Sequence, residues 1–196
     1  MIGRVKELEI LSGTCEENES NLIAVYGRRR IGKTYLINHM FSEHKKNCLF
    51  FRFTGSYMLD SYMQLENFVE AIYDWFKIEP TKDITNWMSG FNLLKKAITS
   101  TQTQNQKVVI FLDEIPWIDK KNSSGFVGAL GYFWNEFALN NKNIVMILCG
   151  SNSSWIKNKI FEDSSGPLYQ RLDIKIHLKP FDLKETKEYL QKEKSF

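Results

Sequence analysis

The stretch NLIAVYGRRRIGKT (residues 21–34) joins a short, almost wholly apolar run to a loop that contains two glycines, a lysine and a threonine. Residues 27–34 match GxxxxGK[ST], the pattern of the phosphate-binding P-loop. The glycines permit a tight turn that aims successive backbone N–H groups at phosphate oxygens. A helix that starts at Lys33 would add its positive N-terminal end. The stretch therefore predicts a strand, a phosphate loop and a helix in succession.

The motif assigns roles to the residues of the loop. The Lys33 ammonium is expected to reach the β- and γ-phosphates of a nucleotide, and the Thr34 hydroxyl to bind Mg²⁺. Of the three arginines, we expect at most one to touch the nucleotide and another to pair with Glu114 or with an acid elsewhere. The predicted nucleotide-binding residues of this segment are Gly27, Arg28, Arg29, Arg30, Ile31, Gly32, Lys33, Thr34 and Tyr35.

The apolar pattern extends this local prediction to the whole chain. Further near-continuous apolar runs occupy residues 48–54, 108–113 and 143–150, and a weaker, alternating run occupies 173–178. Continuous runs are typical of strands buried on both faces of a parallel sheet, whereas alternation suits an edge strand. Helical patterns lie at 33–44, 64–76, 91–101 and 125–141, and a charged helix at 183–194. This alternation predicts an α/β sandwich of three layers with a mainly parallel, five-stranded sheet.

The run VVIFLDE (residues 108–114) ends in two acids. A carboxylate at the C-terminal end of a buried strand lies where open α/β sheets bind ligands. Asp113 is expected to hold Mg²⁺, through a water molecule, because this ion keeps much of its hydration shell. Glu114 can orient the water that attacks the γ-phosphate or accept its proton.

The run that ends in CGSN (residues 149–152) supplies a third polar strand end. A small polar side chain here can hydrogen-bond the γ-phosphate or the attacking water. Ser151 is our first choice for this sensor and Asn152 the second. The alternative is a simple turn, since Gly, Ser and Asn are turn residues.

Taken together, these motifs resemble the prokaryotic AAA-type ATPase family called archaeal ATPases, which is related to the signal-transduction ATPases with numerous domains. The resemblance rests on Gly3-Arg4, YGRRRIGKT (26–34), LDE (112–114), CGS (149–151) and PLYQR (167–171), and it runs from residue 3 to about 181. It implies a P-loop NTPase core with an additional-strand, AAA-like strand order. Residues 1–181 would form this core, and 182–196 would begin a helix leading to a lid domain that this chain lacks.

The resemblance also implies roles that the motifs alone do not. Ile2, Gly3 and Arg4 would help to cover the adenine, and Arg171 would lie where the charge of a γ-phosphate can be sensed, in its own chain or in a neighbouring one. Family members usually have glycine where this chain has Gln170. This departure puts the local turn, and so the direction of Arg171, in question.

Composition narrows the class of protein. A net charge of +3 allows an anionic ligand, but the lysines form no dense basic stripe of the kind that nucleic-acid binders carry. No apolar signal core or membrane-length run is present, and the three cysteines form no CxxC pair. We therefore expect a cytoplasmic protein without a membrane segment, with nucleic acid bound only through further domains.

The sequence supports three functional hypotheses. The first is Mg²⁺-dependent ATP hydrolysis coupled to a conformational or assembly change, weak in the isolated domain, with Glu114, Lys33, Ser151 and Arg171 as catalytic residues and Thr34 and Asp113 as metal ligands. The second is a nucleotide-gated signalling or defence scaffold that binds ATP or ADP with little turnover and associates with a protein partner or with itself. The third is a P-loop small-molecule kinase, which leaves Glu114 and Ser151 without a special role.

Overall fold

The computed structural model describes residues 3–43, 48–79, 83–101, 106–119 and 125–193. Its centre is a five-stranded sheet whose neighbouring strands are all parallel, so their carboxyl ends meet at one edge. Each strand lies within one residue of its predicted ends. The strands are β1 (Asn21–Tyr26), β2 (Cys48–Thr54), β3 (Lys107–Asp113), β4 (Ile144–Gly150) and β5 (Ile174–His177).

The strand order is β2-β3-β4-β1-β5. Strand β4 thus lies between β1 and β3. It is the additional strand that the family resemblance implies. The alternating strand β5 forms an edge, as predicted. Strand β2 forms the opposite edge, and several of its side chains are only partly buried, although its apolar run suggested burial on both faces.

Helices connect the strands and cover both faces of the sheet. Their bounds are α1 Val5–Glu16, α2 Lys33–Asn38 with a π-helical turn His39–Glu43, α3 Ser61–Phe76, α4 Trp87–Thr101, α5 Ile115–Ile118, α6 Phe126–Phe133 with a π-helical turn Trp134–Ala138, α7 Ser153–Ile156 with a π-helical turn Lys157–Phe161, and α8 Leu183–Glu193. The predicted helices are confirmed, but two of them, α2 and α6, end in a π-helical turn. Helices α1, α5 and α7 were not predicted. Residue 44, the end of the first predicted helix, and Lys194, the end of the last, lie outside the described residues.

Strand β3 shows why the core has two sides. Val108, Ile110 and Leu112 pack into one hydrophobic cluster with α3, α4 and α6. Val109 and Phe111 pack into the other, with α1 and α2. Successive side chains of a strand point to opposite faces, so a continuous apolar run fills both layers. The molecule is therefore the predicted three-layer sandwich.

The last helix begins with a capping box. Asp182 accepts from the Glu185 backbone N–H (2.8 Å), and Glu185 accepts from the Asp182 N–H (2.9 Å). Glu185 also accepts from the Arg4 N–H at 3.2 Å, which joins α8 to the N-terminal segment. Among the described residues, no helix combines the length and the apolar character needed to cross a membrane.

Candidate nucleotide-binding site

The loop between β1 and α2 has the backbone that a phosphate-binding turn requires. Gly27 (φ 145°) and Gly32 (φ 89°) both have positive φ, where a side chain is strained. A Cβ atom on Gly27 would lie 2.3 Å from the carbonyl oxygen of Leu178, the residue after β5. Glycine at 27 is thus required by space as well as by conformation.

Lys33 is the first residue of α2, and its side chain folds back into the loop. The ammonium donates to the carbonyl oxygens of Gly27 (3.1 Å) and Arg28 (2.8 Å), and the residue is only 5% exposed. The charge is therefore held inside the turn of the loop. Phosphate oxygens that bind to the backbone N–H groups of this turn would lie close to the Lys33 ammonium.

The second motif meets the first at the carboxyl edge of the sheet. The Thr34 hydroxyl donates to Asp113 Oδ2 at 2.7 Å, although 79 residues separate them. Asp113 is buried, and its Oδ1 accepts from the Glu114 N–H at 3.0 Å. The two residues that the motifs assign to a metal are thus in direct contact.

Two residues near Asp113 were missed by the sequence reasoning. The Arg52 guanidinium lies 3.9 Å from Asp113 Oδ2 and donates to the Thr54 hydroxyl at 3.3 Å. Cys149 lies in β4, which pairs with the Asp113 strand, and burial, followed by the Asp113 charge, raises the pKa of the Cys149 thiol well above its usual value. The position of Arg52 as a single charge inside the apolar run 48–54 was the available signal.

Glu114 faces the end of β4. Its Oε2 accepts from the Ser151 hydroxyl at 2.8 Å and from the Ser151 N–H at 3.2 Å. Asn152, our second choice for the sensor, instead caps α7, since its Oδ1 accepts from the Trp155 N–H at 3.1 Å. The structure therefore brings Ser151, and not Asn152, to the second acid.

A pocket of about 800 Å³ opens on the other side of the loop. Arg4 lines it: the side chain is 5% exposed, donates to the Ile31 carbonyl at 3.3 Å and lies over the Phe181 ring, 4.6 Å from its centroid. Phe181 and Tyr189 were not predicted as site residues. Ile2 lies outside the described residues, and Gly3 packs on Glu185. The aromatic and aliphatic residues Ile31, Tyr35, Phe181 and Tyr189 line this pocket with Arg4 and Arg30, which suits a planar base.

The three loop arginines diverge. Arg30 lines the pocket, whereas the Arg29 Nε–H donates to the Ser151 hydroxyl at 3.3 Å. Arg29 therefore contacts Ser151, which in turn contacts Glu114, instead of pairing with Glu114 itself as expected. The Arg28 side chain is exposed, and its carbonyl holds Lys33.

Arg171 is not brought to the loop of its own chain. The segment before β5 pairs with the start of β1, because the Asp173 N–H donates to the Leu22 carbonyl at 3.0 Å. The phosphate loop follows the opposite end of β1. Gln170 adopts the left-handed conformation (φ 55°), so the turn forms without the glycine that the family usually has, and Arg171 is exposed.

The fold and the loop define a class of proteins. A glycine-lysine loop between a strand and a helix, on a parallel sheet with an added strand beside the Asp-Glu strand, is that of the P-loop nucleoside triphosphatases. Residues 1–195 match the family described as an ATPase domain predominantly from Archaea, and the chain belongs to that family.

Curated relatives come from Methanocaldococcus jannaschii. An uncharacterized protein is 28% identical over 195 residues, which cover 97% of this chain and 38% of that protein. An uncharacterized ATP-binding protein is 53% identical over 45 residues, which cover 23% of this chain and 75% of that protein. The chain thus spans well under half the length of the first of these relatives.

Solved structures share the fold. A Walker-type ATPase of Pyrococcus abyssi superposes with a TM-score of 0.66 at 18% identity, over 98% of this chain and 57% of that chain. The ORC1 protein of Aeropyrum pernix, solved in complex with DNA, gives a TM-score of 0.68 at 15% identity, over 100% and 50%. At these identities the likeness establishes the fold alone.

Proposed function

We propose that this chain binds Mg²⁺ and ATP and hydrolyses the nucleotide, and that occupancy or hydrolysis drives a conformational or assembly change. The observation that carries the proposal is the 2.7 Å hydrogen bond from Thr34 to Asp113. It joins the end of the phosphate loop to the acid of a strand that is not adjacent to β1 in the sheet.

Nucleotide binding follows from the two sides of the loop. The backbone N–H groups between Gly27 and Gly32 and the Lys33 ammonium would hold the phosphates. The base would enter the pocket beside Arg4, Phe181 and Tyr189. The Arg4 guanidinium donates to the Ile31 carbonyl, and the Arg4 N–H donates to Glu185 of α8. The base would therefore contact both ends of the described chain.

The residues present fit Mg²⁺. Thr34 and Asp113 offer a hydroxyl and a carboxylate oxygen in contact with each other, and Mg²⁺ in phosphate sites is held by one or two such protein oxygens together with phosphates and waters. Bound there, the ion would offset charge on the β- and γ-phosphates. The hydrogen bond from the Thr34 hydroxyl orients the Asp113 carboxylate toward the position that the ion would take.

Glu114 would direct hydrolysis. A water oxygen forms a bond to the γ-phosphorus, the bond from this phosphorus to the β–γ bridging oxygen breaks, and its electron pair stays on the oxygen of ADP. Glu114 orients the water and accepts its proton, and inorganic phosphate leaves. Ser151, which contacts Glu114, would sense the γ-phosphate, and Arg171 could act only on the nucleotide of a neighbouring copy.

Two substitutions test this proposal. Lys33→Ala should abolish ATP binding, because the loop loses its buried cation. Glu114→Gln should bind ATP with about the parental affinity but hydrolyse it at least about 100-fold more slowly. Calorimetry measures binding and phosphate release measures turnover. Undiminished turnover by Glu114→Gln would contradict the assigned role, and absence of ATP binding by the parent chain would contradict the whole proposal.

A nucleotide-gated scaffold is the second candidate. The observation that favours it is that the Ser151 N–H and hydroxyl both donate to Glu114 Oε2, so this oxygen is already engaged before a water could donate to it. ADP that stays bound through purification, with little phosphate released over the same period, would favour this scaffold over a cycling ATPase.

We propose a cytoplasmic protein that acts on a protein partner or on a second copy of itself. The ORC1 protein of Aeropyrum pernix was solved in complex with DNA, and this chain spans 50% of that neighbour's length. We propose that nucleic acid is bound only through further domains, because the lysines of this chain form no dense basic stripe.

A further inference from the structure

Arg29 occupies an unusual position for a residue of the phosphate loop. Its Nε–H donates to the Ser151 hydroxyl at 3.3 Å, and its guanidinium lies over the Trp117 ring, 5.2 Å from the centroid. Trp117 follows Glu114 by three residues, and its N–H donates to the Glu114 carbonyl at 2.9 Å. Arg29 therefore contacts the segments that follow β3 and β4, at the edge where Glu114 lies.

The hydrogen bonds have a direction. The Ser151 hydroxyl has one proton, and the 2.8 Å bond to Glu114 Oε2 uses it. The oxygen of the Ser151 hydroxyl accepts a hydrogen bond from the Arg29 Nε–H. Arg29, Ser151 and Glu114 thus form a chain of hydrogen bonds with a cation at one end and a carboxylate at the other. In this arrangement Arg29 helps to keep the hydroxyl turned toward Glu114.

Neighbouring residues of the loop would point to different ends of a bound nucleotide. Arg30 lines the pocket on the base side, and Arg29 reaches Ser151 and is one hydroxyl away from Glu114. In the proposed mechanism Glu114 faces the terminal phosphate to orient a water, so the Arg29 guanidinium would lie at the terminal-phosphate end.

We propose that Arg29 is a catalytic arginine supplied by the chain's own phosphate loop, which contacts the γ-phosphate of ATP and leaves Ser151 when it does so. This inference rests on the proposed function. A charge-assisted, bidentate contact between guanidinium and phosphate is stronger than a single 3.3 Å bond to a neutral hydroxyl. ATP therefore draws Arg29 from Ser151, and ADP, which lacks the γ-phosphate, does not.

The move has two consequences. The Ser151 hydroxyl is freed to contact the γ-phosphate, and Glu114, which keeps the bond from the Ser151 N–H, can then orient a water. As the water oxygen attacks the γ-phosphorus and the bond to the bridging oxygen breaks, the guanidinium offsets the charge that spreads over the γ-oxygens and the departing ADP oxygen. The charge comes from within the chain, so turnover per molecule does not depend on association with a second copy.

The test compares a non-hydrolysable ATP analogue with ADP, both with Mg²⁺. Calorimetry on the parent chain, Arg29→Ala and Arg29→Lys gives the two affinities. We expect Arg29→Ala to weaken binding of the ATP analogue about tenfold or more, to leave ADP affinity within about twofold, and to slow hydrolysis at least about 100-fold. Arg29→Lys keeps the charge without the bidentate geometry, so its affinity for the ATP analogue and its rate of hydrolysis should lie between those of the parent and of Arg29→Ala.

Two controls and one spectroscopic signal accompany these measurements. Arg30→Ala should weaken the binding of ADP and of the ATP analogue by equal factors, because Arg30 lines the pocket proposed for the base. Lys96→Ala, which removes an exposed charge on α4, should change neither affinity. The tryptophan emission of the parent should change with the ATP analogue and not with ADP, and Trp117→Phe should remove this difference, since Arg29 leaves the Trp117 ring only for the γ-phosphate.

The outcomes separate this inference from the function on which it rests. Equal loss of ADP and ATP-analogue affinity in Arg29→Ala, or unchanged hydrolysis, would overturn the role of Arg29 while ATP binding by the parent still stood. Turnover that rises with protein concentration and is lost in Arg171→Ala but kept in Arg29→Ala would overturn it in favour of a neighbour's arginine. A parent chain that binds neither nucleotide would refute the proposed function itself.

Discussion

Arg52 places a positive charge beside the buried carboxylate that is proposed to hold Mg²⁺. Its guanidinium is 3.9 Å from Asp113 Oδ2, the oxygen that also accepts from Thr34. The side chain of Arg52 is 37% exposed, so solvent screens part of this charge. A cation this close still opposes the arrival of a second cation at the same oxygen.

Replacing Arg52 with Gln is therefore expected to tighten Mg²⁺ binding to the nucleotide-bound protein by about two- to fivefold. The measurement is a Mg²⁺ titration followed by a fluorescent ATP analogue. Arg52→Lys keeps the charge and should show the parental midpoint. A midpoint in Arg52→Gln that is unchanged, or that moves to higher Mg²⁺, would contradict an electrostatic role for Arg52.

Helix α6 contains two glycines, of which the packing requires only one. A Cβ atom on Gly131 would lie 2.4 Å from the Pro167 ring, in the loop that leads to Arg171. A Cβ atom on Gly128, one turn earlier, would meet no atom within 4 Å. Close contact between α6 and this loop thus requires glycine at 131 and not at 128.

We expect Gly131→Ala to lower the free energy of unfolding by about 1–3 kcal/mol, because the added methyl group pushes the loop off the helix. Gly128→Ala should raise it by about 0.5–1 kcal/mol, since alanine loses less backbone entropy in a helix. Urea denaturation of both variants measures the pair. If both substitutions stabilise the protein, the packing of Pro167 on α6 is not as the structure places it.

At the scale of the whole molecule, the sheet buries a titratable group beneath the site. Cys149 lies in β4 beside Asp113 and is fully buried. Burial first, and then the Asp113 charge, raise the pKa of its thiol well above the ordinary value of 9.0. The stability that depends on the protonated thiol is therefore complete below pH 9 and is lost as pH rises toward the folded-state pKa, because the unfolded chain releases this proton first.

Between pH 9 and pH 10 the parent should lose up to about 1.4 kcal/mol more stability than Cys149→Ala, in which this group is missing. Urea denaturation at the two pH values gives the difference. The comparison cancels the titration of tyrosines and lysines that both proteins share. Equal losses in parent and variant would show that the thiol is not protected in the folded protein.

The parts of the site that were predictable are those that a short segment encodes. Gly27, Lys33 and Thr34 lie within one loop, and Asp113 ends an apolar strand, so spacing and local chemistry predicted where each of them lies. Arg52 could not be assigned, because it reaches Asp113 only through the pairing of β2 with β3. Arg171 was expected near the γ-phosphate, and the pairing of its segment with the start of β1 places it at the far end of the sheet.

The sequence by itself determined the sandwich, its strands and the phosphate loop, because continuous apolar runs need two covered faces and the loop pattern depends on neighbouring residues. Only the tertiary structure decided which side chains meet at the carboxyl edge: Ser151 with Glu114, Arg29 with Ser151, Arg52 with Asp113. These contacts join segments far apart in the chain. Strand order and register set them, and no local pattern records either one.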